Sequence, residues 1–232
     1  MGGQSYAVPF TDGTAVLIPE LWDPETEAFT ELAPHTIPRT YHSVGVLMLD
    51  GTVFQGGGGL CGNCTTNHFD GEVFSPPYLF NGDGSPAVRP VITDASPSTP
   101  LLPGASISVT TDAPVAQFAN IRFGTTTHTV NTDQRRIVLP IGSPTGTTYE
   151  STLPTDTGVL LPGYWMLWAI NAAGVPSVAT TIRVVLPAAS PPLAPPPLPR
   201  RPPPVKLSQP PPPLLKKPPP PLPKKPPPPL KG

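Results

Sequence analysis

Tyr41 and His42 are adjacent residues that could each donate to a metal ion, one through a phenol oxygen and the other through an imidazole nitrogen. Adjacent side chains on a strand point to opposite faces, so both reach one ion only at a strand end or a bulge. An alternating apolar run, an Asp50-Gly51 turn signal and a short second strand (Thr52 to Gln55) follow the pair. This pattern predicts a β-hairpin that begins directly after the pair. Alone, a Tyr-His pair is more typical of a half-buried structural pair, so the site hypothesis needs further residues.

Two cysteines, Cys61 and Cys64, allow three chemistries, namely a redox pair, half of a zinc site or a local disulfide. A redox pair needs a helix after the second cysteine, and the residues that follow lead into a strand-like segment instead. Zinc needs four ligands, and beyond the nearby His68 no fourth ligand is evident. A local disulfide is favoured, and it indicates an oxidising, extracellular destination.

The prolines divide the chain into an acidic body and a basic tail. Residues 188–232 hold 22 of the 41 prolines, eight of the 14 Lys and Arg residues, and no acid. The body therefore carries a net charge near -9 and the tail near +8. Because proline fixes the backbone and removes donors, we predict a disordered, extended polyproline tail over 188–232. Its regular charge suggests binding to anionic cell-wall polysaccharide; a spacer without a partner, a wall-anchoring arm and a ligand for SH3 or WW modules are the alternatives.

The sequence contains no run of about 18 apolar residues that would span a membrane, and the N-terminus has no apolar signal-peptide core. We expect no membrane span and no nucleic-acid partner.

The body reads as two all-β segments, because no helical period is convincing anywhere in it. In residues 1–85, strands at Thr14 to Pro19, Glu20 to Trp22, the Tyr41 hairpin and Glu72 to Ser75 suggest the four strands of one propeller blade. A single blade leaves edges and faces uncovered and is unlikely to be stable alone.

In residues 86–187, several strand-like segments with alternating apolar and polar residues are separated by Gly, Pro, Asp and Asn. This pattern predicts an immunoglobulin-like β-sandwich. The strands are expected at Ser106 to Thr110, Gln117 to Phe123, Arg136 to Pro140, Gly163 to Asn171 and Ala179 to Leu186. The expected core residues are Phe118, Phe123, Trp165, Trp168 and Ile170.

Several long motifs in the body together resemble one protein family. They are Arg39-Thr-Tyr-His-Ser, the stretch from Gly56 to Asp70, the stretch from Thr127 to Arg136, Gly163-Tyr-Trp-Met-Leu and Gly174-Val-Pro-Ser. From about Gly2 to Pro187 the chain resembles the C-terminal third of galactose oxidase and the glyoxal-oxidase-like copper radical oxidases. The resemblance implies that residues 1–85 are the last blade of a seven-bladed, kelch-type propeller whose other blades this chain lacks.

The resemblance also implies a site for one copper ion. His42 and His128 would be the two histidine ligands, and Tyr41 would be the axial ligand that takes the proton from the substrate alcohol. Two imidazoles and a phenol oxygen suit copper(II). Phe10 would line the substrate pocket, and the resemblance agrees with a disulfide between Cys61 and Cys64. For the remaining histidines, His35 and His68, we expect structural or surface roles.

The family's reaction oxidises a primary alcohol or an aldehyde and reduces O2 to H2O2. It requires a second one-electron centre, a tyrosine joined by a thioether to a cysteine, and no residue of this chain matches it. Whether the chain is itself an enzyme is therefore uncertain. The expectation is the C-terminal fragment of a secreted copper radical oxidase, extracellular or in the cell wall and inactive alone. The alternative is a non-catalytic extracellular-matrix or carbohydrate-binding protein that reuses the sandwich.

Overall fold

The computed structural model describes residues 2–98, 100–128 and 130–187, and the tail predicted at 188–232 lies outside them. Regular structure in these ranges consists of β-strands and one short 3-10 helix, Pro77–Leu79, so the all-β prediction is confirmed. No helix in the same ranges is long and apolar enough to cross a membrane.

The first part of the chain forms two small antiparallel sheets. Strands β1 (Glu20–Asp23) and β2 (Ala28–Glu31) pair as a hairpin. Strands β3 (Ser43–Leu47), β4 (Val53–Gly57) and β5 (Gly71–Phe74) form a sheet in the order β3-β4-β5. The hairpin predicted after Tyr41 is therefore confirmed as β3 and β4.

The prediction of four strands in residues 1–85 is only partly right. The strand predicted at Thr14 to Pro19 is wrong, because this segment makes only an isolated bridge between Gln4 and Ala15. Its backbone donors bond locally, as in Val16 N–H to the Gly3 carbonyl at 3.0 Å, and do not enter a ladder. Strand β2 was not predicted, and it pairs with β1 outside the β3-β4-β5 sheet. The seven-bladed propeller stays a prediction.

The second part of the chain is a sandwich of two antiparallel sheets, as predicted. One sheet has the order β11-β8-β13-β14 and the other the order β12-β7-β6. Their strands are β6 (Ile92–Ser96), β7 (Ser106–Thr111), β8 (Gln117–Arg122), β11 (Arg136–Leu139), β12 (Thr148–Thr152), β13 (Gly163–Ile170) and β14 (Thr180–Val184). Strands β6 and β12 were not predicted.

The core lies between these two sheets because alternate side chains of each sheet point inward. On β7, Ile107 and Val109 are fully buried. They belong to one cluster with side chains of the facing sheet, including Phe118, Leu139, Trp165 and Leu167. Of the five residues expected in the core, Phe118, Trp165 and Trp168 are buried, whereas Phe123 and Ile170 are half-buried.

Arg89 joins the β3-β4 turn to the sandwich. Its guanidinium donates to the Asp50 carbonyl at 2.7 Å, to the Pro176 carbonyl at 2.8 Å and to the Ser177 carbonyl. The Tyr78 hydroxyl donates to the Gly51 carbonyl at 2.6 Å, in the same turn. These bonds fix the end of the β3-β4 hairpin on the sandwich.

A second hairpin connects two strands of the sandwich, β8 and β11. Strands β9 (Thr126–Thr127) and β10 (Val130–Asn131) lie between β8 and β11 in the chain and pair only with each other. Strand β9 contacts β3, the strand that follows the Tyr-His pair. The sandwich thus places the turn of this hairpin, which contains His128, beside the β3-β4-β5 sheet.

Candidate metal centre

Tyr41 and His42 lie in a turn directly before β3, where the prediction required a break in strand alternation. The Ser43 N–H closes this turn on the Thr40 carbonyl at 3.1 Å. His42 has a φ of 68°, in the left-handed region that is uncommon for residues other than glycine. The left-handed backbone breaks the alternation, and the rings of Tyr41 and His42 lie on the same side, with centroids 3.8 Å apart.

His128 occupies the turn of the β9-β10 hairpin and is exposed. It also has a positive φ, 48°. Its ring centroid lies 4.8 Å from that of His42 and 5.6 Å from that of Tyr41. The structure therefore brings together three rings from two different sheets.

Phe10 completes the cluster from the N-terminal segment. Its ring meets Tyr41 edge-on with centroids 5.1 Å apart, and its φ is 60°. The side chain remains 45% exposed, so it forms one side of the approach to Tyr41. This position is compatible with the role in a substrate pocket that the family resemblance implies for Phe10.

Both histidine rings have one nitrogen engaged by protein. The His42 Nδ1–H donates to the Gly59 carbonyl at 2.8 Å. The His128 Nδ1 lies 2.7 Å from the Thr127 hydroxyl oxygen. Because the Gly59 carbonyl can only accept, it selects the His42 tautomer whose Nε2 lone pair is free for a metal, the usual arrangement of metal-binding histidines.

The donor set fits copper(II), because it offers two imidazole nitrogens and a phenol oxygen. In the described part of the chain, no group of three or more His, Cys, Asp and Glu side chains could hold a metal ion. The cluster of Tyr41, His42 and His128 depends on tyrosine as its third donor, and it supplies three protein donors.

The buried side chain of Arg39 stabilises the segment that leads into the turn of Tyr41 and His42. Its side chain is 1% exposed, and its Nη1 donates to the Gly57 carbonyl at 3.0 Å and to the Asp70 carboxylate at 3.0 Å. Its Nη2 lies 3.4 Å from the Glu72 carboxylate. Arg39 thus links the segment before the Tyr41-His42 turn to the end of β4 and the start of β5. The sequence motif contained this arginine, but only the structure shows its role.

Glu72 is the better shielded of the two carboxylates that face Arg39. Burial disfavours its charged form, but hydrogen bonds from Thr36 and the charge of Arg39 outweigh burial and lower the pKa of Glu72. Thr36 donates through its hydroxyl at 2.8 Å and its backbone N–H at 3.1 Å. The carboxylate is therefore held ionised between Arg39 and Thr36.

Cys61 and Cys64 form a disulfide, and no free cysteine remains among the described residues. This outcome selects the disulfide among the three chemistries that the sequence allowed. The disulfide lies just after Gly59, whose carbonyl accepts the His42 hydrogen bond. Sequence reasoning missed Gly59, and its position at the end of the glycine run Gly56 to Gly59 was the available signal.

The two remaining histidines lie outside the ring cluster. The Nε2 of His68 lies 2.9 Å from the Asp12 carboxylate, which links the segment after Phe10 to the segment after the disulfide. The Nδ1 of His35 donates to the Ile37 carbonyl at 2.7 Å. Both contacts are compatible with the structural roles expected for these residues.

A cavity of about 490 Å³ lies between the β3-β4 strands and the β9-β10 hairpin. Its lining includes Arg39, Ser43, Gln55, Thr127 and Asn131. None of the four ring residues lines it. The ring cluster instead lies at the protein surface, where Phe10 and His128 are exposed to solvent.

The chain is similar to several known proteins. A family model for the galactose oxidase-like early set domain matches residues 89–184. A galactose oxidase from Gibberella zeae is 52% identical over 183 residues, which are 79% of this chain and 27% of that protein. An aldehyde oxidase from Arabidopsis thaliana is 30% identical over 182 residues, or 70% of this chain and 29% of that protein.

A solved structure of a fungal alcohol oxidase in complex with copper matches with a TM-score of 0.74 and 52% identity. The match covers 78% of this chain and 38% of that chain. The present chain thus spans about a quarter of the length of the curated relatives that it matches. Residues 89–184 belong to the galactose oxidase-like early set domain family, and the chain is similar to the C-terminal part of galactose oxidase and of related aldehyde oxidases.

Proposed function

We propose that this chain is the C-terminal part of a copper radical oxidase, with Tyr41, His42 and His128 as ligands of one copper ion. The observation that carries the proposal is the convergence of these three rings from two sheets, within 3.8 to 5.6 Å of one another. The hydrogen bond from the His42 Nδ1–H to the Gly59 carbonyl supports it, because it leaves the Nε2 lone pair of His42 available. The likeness to a copper-containing alcohol oxidase supports the choice of metal.

The reaction that we propose converts a primary alcohol and O2 to an aldehyde and H2O2, or an aldehyde, water and O2 to a carboxylic acid and H2O2. Two electrons and two protons pass from the substrate to O2. When bound, a copper ion held by Tyr41, His42 and His128 would supply a one-electron redox centre and a Lewis acid for the substrate oxygen. The phenol oxygen of Tyr41 would take the hydroxyl proton of the substrate, and Phe10 would line the substrate pocket.

The isolated chain is expected to be inactive. The second electron requires a tyrosine-cysteine centre, and both cysteines of this chain are joined to each other in a disulfide. We propose that this centre belongs to a part of the protein outside this chain, since the chain covers 27% of a related galactose oxidase. With three protein donors, the isolated chain should bind copper weakly.

An extracellular or cell-wall location is part of the same proposal. The disulfide supports an oxidising environment. The basic, proline-rich residues 188–232 support contact with anionic cell-wall polysaccharide. Sequence similarity to a galactose oxidase and to an aldehyde oxidase supports primary alcohols or aldehydes as the substrate class.

Copper titration of the purified chain tests the ligand assignment. We expect one Cu²⁺ site by electron paramagnetic resonance, with nitrogen hyperfine structure. His42→Ala and His128→Ala should each weaken binding by at least the roughly 10-fold typical of losing a hydrogen-bond partner of a ligand. His35→Ala is the matched control, because the structure places His35 outside the cluster, and it should bind copper as the native chain does.

Peroxide assays on galactose, methylglyoxal and glyoxal test the activity, and we expect no sustained turnover from the chain alone. Turnover that disappears in His128→Ala would show that these residues suffice for a radical site. Copper binding that neither histidine variant changes would reject the ligand assignment. It would favour the non-catalytic matrix or carbohydrate-binding alternative.

A further inference from the structure

Gly59 contacts the turn that contains Tyr41 and His42 through both of its backbone polar groups. Its N–H donates to the Tyr41 carbonyl at 2.8 Å. Its carbonyl accepts a hydrogen bond from His42 Nδ1, also at 2.8 Å. One residue therefore fixes the backbone of one proposed ligand and the ring of the next.

Gly59 is in turn fixed from the opposite side. Its φ is 80°, a conformation that glycine adopts without strain. A Cβ at this position would overlap the Thr66 carbonyl oxygen and the Asn67 side-chain oxygen. Gly59 is thus wedged between the turn and residues 66 and 67, and no larger residue fits there without moving one of them.

Residues 60–67, which we call the disulfide loop, hold Thr66 and Asn67 in that place. The disulfide between Cys61 and Cys64 closes the loop covalently. The Cys61 N–H donates to the Asn67 side-chain oxygen at 3.1 Å, and the Asn67 side-chain N–H donates to the Gly62 carbonyl. The loop is therefore closed twice, by the disulfide and by Asn67.

We propose that Gly59, held by the disulfide loop, is the positioning residue of the candidate copper site. A carbonyl that accepts from Nδ1–H selects the tautomer of His42 in which Nε2 carries the lone pair and fixes the plane of the ring. The link to copper rests on the proposed function, whereas the selected tautomer does not. The disulfide thereby acts on the metal site without contributing a ligand.

Two measurements test this role on the full chain. In the metal-free chain at a pH where His42 is neutral, nitrogen-15 NMR reports which ring nitrogen carries the proton. We expect the Nδ1–H tautomer in the native chain and its loss in Gly59→Ala and in the double variant Cys61→Ser/Cys64→Ser. The affinity for Cu²⁺ should fall by about 10-fold or more in both. Serines avoid the use of a reductant, which would also reduce Cu²⁺.

Gly174→Ala is the matched control. Gly174 has the same φ of 80°, lies in a sandwich turn and has open space where a Cβ would be. It should keep the native tautomer and copper affinity while losing some thermal stability through the same backbone strain, which separates that strain from the overlap at Gly59. If Gly59→Ala fails to fold, Asn67→Leu removes one loop closure while residue 59 remains glycine. The same two measurements are then made on this variant.

Retention of the Nδ1–H tautomer and of native copper affinity in the loop variants would overturn the proposal. A native chain that shows the Nδ1–H tautomer but binds no copper would reject the proposed function and leave the positioning of His42 standing. If the native chain binds copper and the loop variants bind it with the same affinity, the positioning role is rejected and the proposed function stands.

Discussion

At the scale of single residues, the candidate site is built on unfavourable backbone conformations that its neighbours stabilise. Among the described residues, five that are not glycine have a positive φ, and three of these are Phe10, His42 and His128. Each such conformation costs on the order of 1–3 kcal/mol and persists only where surrounding contacts fix it. Beneath the turn, the fully buried Arg39 supplies such contacts, with the Glu72 carboxylate as one partner.

The lowered pKa of Glu72 gives a pH-dependent contribution to stability. Because the folded pKa lies below the ordinary value of 4.5, the unfolded chain binds more protons in this range. The stability that the Glu72 carboxylate contributes is fully present above the pKa of Glu72 in the unfolded chain. It is lost as the pH falls through the pKa of Glu72 in the folded chain. We expect Glu72→Gln to unfold at a lower temperature than the native chain at pH 7 and to converge with it at the acid end. A difference that stays constant between pH 7 and pH 3 would contradict this account.

At the scale of elements, two hairpins extend towards each other and determine the site. The β3-β4 hairpin ends on the sandwich, where Arg89 donates to the Asp50, Pro176 and Ser177 carbonyls. The β9-β10 hairpin leaves the sandwich and contacts β3. Because each hairpin ends against the other part of the chain, the distance from His42 to His128 depends on both contacts.

Arg89→Lys tests the first of these contacts. A lysine ammonium cannot reproduce the fork of a guanidinium that donates to three carbonyls. Losing part of these charge-assisted hydrogen bonds should cost about 1.5–3 kcal/mol, measured as a loss in the free energy of unfolding by denaturant titration. Arg183→Lys is the control, because Arg183 is exposed on β14 and should change stability by less than about 0.5 kcal/mol. Equal stability of the two variants would mean that the turn is held by other contacts.

At the scale of the whole molecule, the described residues between 2 and 187 form one compact unit. The boundary between residues 85 and 86 stays a prediction. The sandwich has a buried core of its own, whereas the β1-β2 hairpin exposes Trp22 and Phe29. Exposed aromatic side chains of this size are typical of surfaces that another part of a protein covers.

Removal of residues 188–232 should leave the thermal unfolding midpoint unchanged within about two degrees. The sequence of this segment is rich in proline and lysine and has few apolar side chains to bury. Differential scanning calorimetry of the native chain and of a chain that ends at Pro187 would measure the effect. A drop of several degrees in the truncated chain would show that the segment docks on the body.

The sequence by itself determined the all-β class, the sandwich and the β3-β4 hairpin, because strand alternation and turn residues are local properties. It failed at Thr14 to Pro19, where an apolar run does not join a sheet, and at β2, which pairs with the adjacent β1. It also failed at β12, whose partner β7 is distant in sequence. The sequence also favoured the disulfide, and the family motifs pointed to His42 and His128.

Only the tertiary structure decided how those residues meet. Local patterns carry no information about which hairpin packs on which strand, so the 4.8 Å separation of the His42 and His128 rings follows from long-range contacts. The same holds for the hydrogen bond from His42 to Gly59, which depends on a left-handed backbone and on a loop closed behind it. Residue types defined the available donors, and packing defined which of their atoms face one another.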